Sequence, residues 1–383
     1  MTSALRIIPV TVAGSVPSGE TGGSPNRDTK YRGLFCKRPF EFAQVHPDGA
    51  MFPCCPQHVN TPIGQLLQED GFMDAWNSPK AEEIRASILD GTFRFCNENT
   101  CGMLQERNLP SVEEVMLDPE YREIIGNQTT RLTRAPRTIN LSYDFTCNLA
   151  CPSCRTEHII LKGEAREPVR IIHDKVMGDH LADARRLIVT GSGDPFQSRL
   201  YLSFLRTFKP EMNPGLRIQI STNAILLTRE MWESICHEAI DSVDVSVDAA
   251  TPETYALNRG GDFEKLLANL HFLGDLRRQQ QLDHFELHFV VQQNNYREME
   301  AFLDLGRQVN CDKVCFKQII NWATFTPDEY TRRAVQLPGH PEHGEFLDVL
   351  RKPAFGLGRD KLSLHDLTEL ANASRELATS RAE

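Results

Sequence analysis

This chain predicts an α/β fold built on a parallel sheet, and three observations carry that expectation. From residue 138 onwards, short apolar runs of strand length alternate with longer helix-periodic spans. Three cysteines, Cys147, Cys151 and Cys154, crowd the loop that leaves the first of those runs. A second cysteine-bearing stretch, with a hairpin signal of its own, comes before them.

Taken in order, residues 1–30 carry repeated Gly and Ser with almost no apolar periodicity. Such a composition cannot bury enough surface to offset ordering, so a flexible tail is expected. Residues 31–108 hold Cys36, Cys54, Cys55, Cys96 and Cys101. Phe40, Phe42 and Val45 suit a strand, Pro47-Asp48-Gly49 a turn, and residues 50–53 the returning strand. That hairpin brings Cys36 towards Cys54. Apolar spacing over residues 70–90, with Ser78-Pro79 as a start signal and Gly91 as a stop, predicts a helix ahead of Cys96 and Cys101. Residues 109–136 read as a helical connector.

The parallel sheet follows over residues 137–325. Runs at 138–143, 186–190, 216–222, 242–247, 285–292 and 313–319 read as buried strands, with helices expected at 262–278 and 296–309 among the connections. Residues 326–383 form a closing segment. His340 and His343 there share a three-residue spacing that suits a metal, but Pro338 and Pro341 favour a loop.

Composition narrows the function. The net charge of −10 argues against a general nucleic-acid or anionic-membrane binder. No apolar run is long enough to span a membrane, and no secretory signal is visible. Eleven cysteines in a 383-residue chain point to metal ligation in a reducing cytoplasm rather than to a disulfide scaffold.

The spacing C-x3-C-x2-C places three thiolates of one short loop at three corners of a metal centre. Structural zinc takes four protein ligands, usually as two separated pairs, whereas a cubane [4Fe–4S] cluster is held by thiolates. His158 is the nearest further zinc donor. A structural zinc loop or three reduced thiols is the plain alternative. For the earlier cysteine set, zinc ribbon and iron–sulfur ligation are equally compatible with the residues alone.

The stretch INLSYDFTCNLACPSC, residues 139–154, resembles the signature of the radical S-adenosylmethionine (SAM) superfamily. That resemblance implies a partial (β/α)6 barrel. It also implies a [4Fe–4S] cluster on Cys147, Cys151 and Cys154 whose open iron chelates SAM, which is cleaved to methionine and a 5′-deoxyadenosyl radical. Ser153 stands where the family often has an aromatic residue. Residues 190–195, TGSGDP, resemble the family's GGE motif, with Gly191, Gly193 and Asp194 in those places. By the same resemblance Ser221, Thr222 and Asn223 contact the methionine carboxylate or ribose. Ser246 and Asp248 face ribose or substrate, Arg259 in a YxxxR element pairs with the cofactor carboxylate, and Val291, at the fifth strand's end, lines the adenine or substrate pocket. Capping of turns and helices is the plain alternative for these polar groups.

Cys36-x12-Gly49-x4-Cys54, with residues 63–91, resembles the opening of SPASM and twitch modules. This implies a second, auxiliary [4Fe–4S] cluster on Cys36, Cys54, Cys96 and Cys101, with Cys55 as the alternative to Cys54. Such modules usually follow the barrel; here the stretch precedes it. The implied activity is oxidation of a small-molecule or natural-product substrate, fed by a low-potential donor such as flavodoxin or ferredoxin. Epimerisation with Cys315 as hydrogen donor, or peptide crosslinking, competes within enzymes. A zinc-binding regulatory or scaffolding protein competes from outside them.

Overall fold

The computed structural model describes residues 30–190, 192–356 and 361–379. The expected tail and Gly191 lie outside the described residues. Ten strands form one sheet: β1 (Phe42–Val45), β2 (Ala50–Phe52), β3 (Gly64–Gln65), β4 (Thr138–Leu141), β5 (Arg186–Val189), β6 (Arg217–Thr222), β7 (Ile240–Ser246), β8 (His284–Val291), β9 (Lys313–Gln318) and β10 (Leu362–Ser363). Their order is β10-β9-β8-β7-β6-β5-β4-β1-β2-β3. From β4 to β9 every neighbour is the next strand in sequence and every pairing is parallel. That is the strand order of repeated β-α units wound in one direction.

Each of the six strands expected from apolar patterning is present, shifted by at most a few residues at its ends. The helix expected at 262–278 is Phe263–Arg278, capped by the Asp262 carboxylate accepting from Lys265 N. Ahead of the sheet, the single helix expected at 70–90 is two, Phe72–Trp76 and Pro79–Leu89. Ser78 divides them: its hydroxyl accepts from Ala81 N and Pro79 opens the second. The hairpin turn falls where expected. Gly49 takes φ +86°, and Asp48 caps the turn by accepting from Ala50 N at 3.0 Å.

The cysteine-rich stretch does not stand apart from the sheet. β1 pairs with β4 in parallel, Phe42 opposite Thr138 and Val45 opposite Leu141, so its hairpin extends the sheet by three strands. At the far edge, β10 adds to β9. His58, after β2, has its pKa lowered by burial first, then by the charges of Arg38 and of His365, which follows β10.

Its two faces differ. Phe289 of β8 and Phe316 of β9 pack on Phe302 of the helix Met299–Gln308, at ring-centroid distances of 4.7 and 5.9 Å. Alternate residues on the same strands face away from the helices and are half-buried or polar: Gln219, Asp244, Glu286, His288, Cys315 and Lys317. No helix among the described residues is long and apolar enough to cross a membrane.

Candidate functional site

The three-cysteine loop leaves the C-terminal end of β4, the end at which parallel sheets collect ligand chemistry. Its base is held rigidly. Tyr201 Oη accepts from Tyr143 N and Asp144 N and donates to Leu141 O, all within 3.1 Å. Asp144 accepts from Thr146 N at 2.9 Å and from Ser198 Oγ at 2.6 Å. Gly193 lies directly beneath: a Cβ there would sit 2.5 Å from both the Asp144 and Thr146 carbonyl oxygens. Only glycine lets the loop after β5 approach so closely.

The cysteine loop itself and two neighbouring segments, after β6 and after β7, meet the sulfurs. Cys147 Sγ accepts from Leu149 N at 3.5 Å and from Asn223 Nδ2 at 3.7 Å. The Cys151 thiol donates to the Arg259 carbonyl at 3.7 Å. Cys154 Sγ lies 3.4 Å from Arg155 Nη2. Cys147 and Cys151 are buried and Cys154 is exposed. Burial raises the first two thiol pKa values.

The other expected residues divide by what their polar atoms already hold. Asp194 is fully buried. Its carboxylate accepts from Thr222 Oγ1 at 2.7 Å, Asn223 N at 3.0 Å and Phe196 N at 3.1 Å. Burial raises its pKa against those bonds. Asp194 and Thr222 therefore brace Asn223 from inside rather than reaching into the mouth. Asp248, at φ +61°, accepts from Val290 N at 2.7 Å and pairs with Arg259 at 3.0 Å. The Arg259 pairing is a buried one. Burial opposes its charge, and the nearby Cys151 and Asp248 more than restore it. Arg259 Nε and Tyr255 Oη are both buried and have no partner among the described residues. Tyr255 lies close enough to Cys151 for that thiol to influence its pKa.

Ser221 and Ser246 alternate onto the helix-free face, level with Asp244 and His288 of the adjoining strands. Val291 is a correction. Its side chain shares the helix-covered face with Phe289, and its carbonyl accepts from Ile319 N at 3.2 Å. It belongs to the core because the side-chain period is two and the strand continues to it.

Cys315 is buried on the helix-free face, opposite His288. With Glu286 and His288 it groups three ligand-type atoms within 4.8 Å. Lys317 Nζ stands 2.9 Å from His288 Nδ1 and puts a positive charge against the same ring, which disfavours a cation there. Burial pushes the Cys315 thiol up to about 11, so it keeps its proton. The His340 and His343 rings are instead tied to backbone carbonyls, of Arg332 and Val335.

The second thiol set assembles beside the N-terminal end of β1. Cys36 precedes the short helix Arg38–Glu41, which runs into β1, and Cys54 follows β2. Cys36 feels the charge of Cys101, and Cys54 that of Cys36 and Cys55. The 96–101 turn is joined to this group through Asn97 N donating to His58 O at 2.7 Å. Burial pushes Cys36 up to about 11 and Cys54 up to about 12.

The donor chemistry fits iron–sulfur clusters at both places. One set offers three thiols on one loop beside unpartnered buried donors, and the other offers four or five thiols. A parallel α/β sheet with thiol sets at two strand ends defines a cluster-binding enzyme scaffold. Comparison with known proteins narrows it. Residues 145–306 match the radical SAM superfamily, and residues 36–103 match the SPASM iron–sulfur cluster-binding domain. The chain is a radical SAM superfamily protein with an SPASM-type domain ahead of its radical SAM domain. Its cofactors are a SAM-binding [4Fe–4S] cluster, SAM and an auxiliary iron–sulfur cluster.

Over 183 residues the chain is 26% identical to the AdoMet-dependent heme synthase of Methanosarcina barkeri (strain Fusaro / DSM 804), covering 46% of this chain and 49% of that protein. It is 28% identical to the Fe-coproporphyrin III synthase of the same organism, covering 45% and 42%. The chain thus spans about half the length of the curated relatives it matches. The crystal structure of Streptococcus suis SuiB bound to S-adenosylmethionine aligns with a TM-score of 0.39 at 13% identity, over 80% of this chain and 59% of that one.

Arg155 and the Lys317–His288–Glu286 group were not singled out from sequence, and Tyr255 entered only as the first residue of the YxxxR element. Arg155 directly follows a candidate ligand, which was the available signal. The Lys317–His288–Glu286 group depends on strand register and had none.

Proposed function

We propose that this radical SAM enzyme dehydrogenates a small-molecule or natural-product substrate held against the helix-free face of the sheet. The observation that carries this reading is the pair of thiol sets on two adjacent strands of one sheet, one after β4 and one beside the start of β1, with the polar face of β6–β9 in the same sheet. When bound, SAM and the cluster on Cys147, Cys151 and Cys154 supply a 5′-deoxyadenosyl radical, and a [4Fe–4S] cluster on Cys36, Cys54, Cys96 and Cys101 supplies a one-electron acceptor.

The chain's own residues hold and shield. Asn223 and the Leu149 amide donate to the Cys147 sulfur and orient it. Arg259 Nε and Tyr255 Oη offer donors suited to the cofactor's carboxylate. Asp194 and Gly193 fix the loop after β5 under the cysteines, Thr222 ties that loop to Asn223, and Asp248 aims Arg259. Ser221 and Ser246 line the face below. A low-potential protein such as a flavodoxin or ferredoxin serves as reductant.

A redox-neutral epimerase is the second reading. It is favoured by the protonated, buried Cys315 thiol on the same face. Peptide modification is a further possibility within the same chemistry. The test is anaerobic reconstitution followed by reduction in deuterated buffer with candidate substrates. Dehydrogenation predicts about eight irons per chain, 5′-deoxyadenosine that disappears in Cys151→Ala, and product without solvent deuterium. Carbon-bound solvent deuterium that vanishes in Cys315→Ala would transfer the assignment to the epimerase. No 5′-deoxyadenosine at all would defeat both.

A further inference from the structure

We propose that Arg155 is a positioning residue that raises the reduction potential of the cluster on Cys147, Cys151 and Cys154, acting as a buried cation fixed against the Cys154 sulfur. This rests on reading those three cysteines as cluster ligands.

Arg155 is only 8% exposed, unusual for an arginine. Nη1 donates to the Phe145 carbonyl and Nη2 to the Ser192 carbonyl, both at 2.7 Å. Its guanidinium therefore bridges the cysteine loop and the loop after β5. Nη2 also reaches Cys154 Sγ at 3.4 Å. Among the described residues Arg155 forms no ion pair with a carboxylate. The neighbouring Arg259 differs, being paired with Asp248 at 3.0 Å.

A buried cation left without an anion is costly. Around Arg155 the groups that compensate its burial are Cys154, Cys147 and Cys151 themselves. The charge is thus matched to whatever negative charge those sulfurs carry when they ligate a metal. A fixed cation favours the more negative, reduced form of an adjacent redox centre, and an N–H aimed at a ligand sulfur acts in the same direction. Two carbonyl anchors keep the guanidinium from swinging out to solvent, so the effect is built into the loop.

The test is an EPR-monitored redox titration of anaerobically reconstituted holoprotein. The signal is assigned by its loss in Cys151→Ala, and iron and sulfide are measured in parallel. Arg155→Gln should keep the cluster and shift its reduction equilibrium at least tenfold towards the oxidised form, ~59 mV for a one-electron couple. Arg155→Lys, which keeps the charge, should stay near the unaltered protein. If Arg155→Gln fails to hold the cluster while Arg155→Lys holds it at the native potential, the charge requirement is again supported. An unchanged potential in Arg155→Gln, an equal shift in both variants, or loss of the cluster from both would overturn the proposal. If the unaltered protein binds no iron at these cysteines, the ligand reading fails instead, and the iron analysis reports that before any potential is read.

Discussion

The two cysteine regions reach similar donor sets by opposite routes. Cys147, Cys151 and Cys154 share one loop whose shape comes from bonds within it and from polar groups on two neighbouring segments. Cys36, Cys54, Cys96 and Cys101 come from separated segments that pack on an apolar core including Phe35, Phe40, Trp76 and Tyr121. The first region is thus preorganised locally, whereas the second is a product of tertiary folding. One should fail at individual sulfurs, the other whenever its core is disturbed.

The largest expected effect separates them functionally. Cys151→Ala should remove about four of about eight irons and abolish 5′-deoxyadenosine formation. Cys36→Ala should remove a similar number yet leave reductive SAM cleavage within a few-fold of the unaltered protein. Iron analysis beside chromatography of 5′-deoxyadenosine decides it. If Cys36→Ala also abolishes cleavage, the two regions are not independent and the contrast breaks.

The same contrast explains what could be read from the residues. Local spacing revealed the cysteine loop, and apolar alternation revealed all six parallel strands, because both signals span only a few neighbours. Alternation does not say which strand pairs with which. So the parallel pairing of β1 with β4, about ninety residues apart, was invisible, and the cysteine-rich stretch looked detached from the sheet. A carboxylate after a strand gives no sign of the backbone amides it accepts from, so the bonds of Asp194 and Asp248 were not legible beside their expected ligand roles. Val291 was misread for a related cause: the strand's last residue keeps its alternation, and nothing local marks where the face ends.

A second pair of substitutions sharpens the comparison at the level of stability. Arg85 is fully buried in the cysteine-rich stretch. It donates to Pro39 O, Asn77 Oδ1, Thr130 O and Trp76 O, with its guanidinium 4.3 Å from the Trp76 ring. Arg85→Met takes a buried donor from each of them, leaving Asn77 Oδ1 only its bond from Leu132 N, at a cost of about 3 kcal/mol. It should deplete auxiliary iron while sparing the other cluster. Gly193→Ala pushes a methyl against two carbonyls and should cost ~1–3 kcal/mol, with the opposite pattern of iron loss. Denaturant midpoints with iron analysis test both, and matching patterns of loss would erase the distinction.

The smallest expected effect lies outside both regions, on the polar face. Glu286 contacts the His284 and His288 rings at 3.1 and 3.2 Å. Burial alone would raise its pKa, but these contacts and Lys313 overcome it and bring the carboxyl down to about 2. An unfolded glutamate titrates near ~4.3. The folded value is the lower one, so the carboxylate's contribution is fully present above about pH 4.3 and is lost as pH falls towards 2. Solvent screening at this half-buried position limits it to about 1 kcal/mol. Glu286→Gln should therefore be less stable at pH 7 by that amount and converge with the unaltered protein in acid, as read from urea midpoints of cluster-free protein. Its iron content after reconstitution should not change, since neither thiol set touches Glu286. A gap between the two proteins that stays constant with pH would mean the side chain acts through packing alone, and the polar face would then lack the electrostatic tension that sets it apart from both cysteine regions.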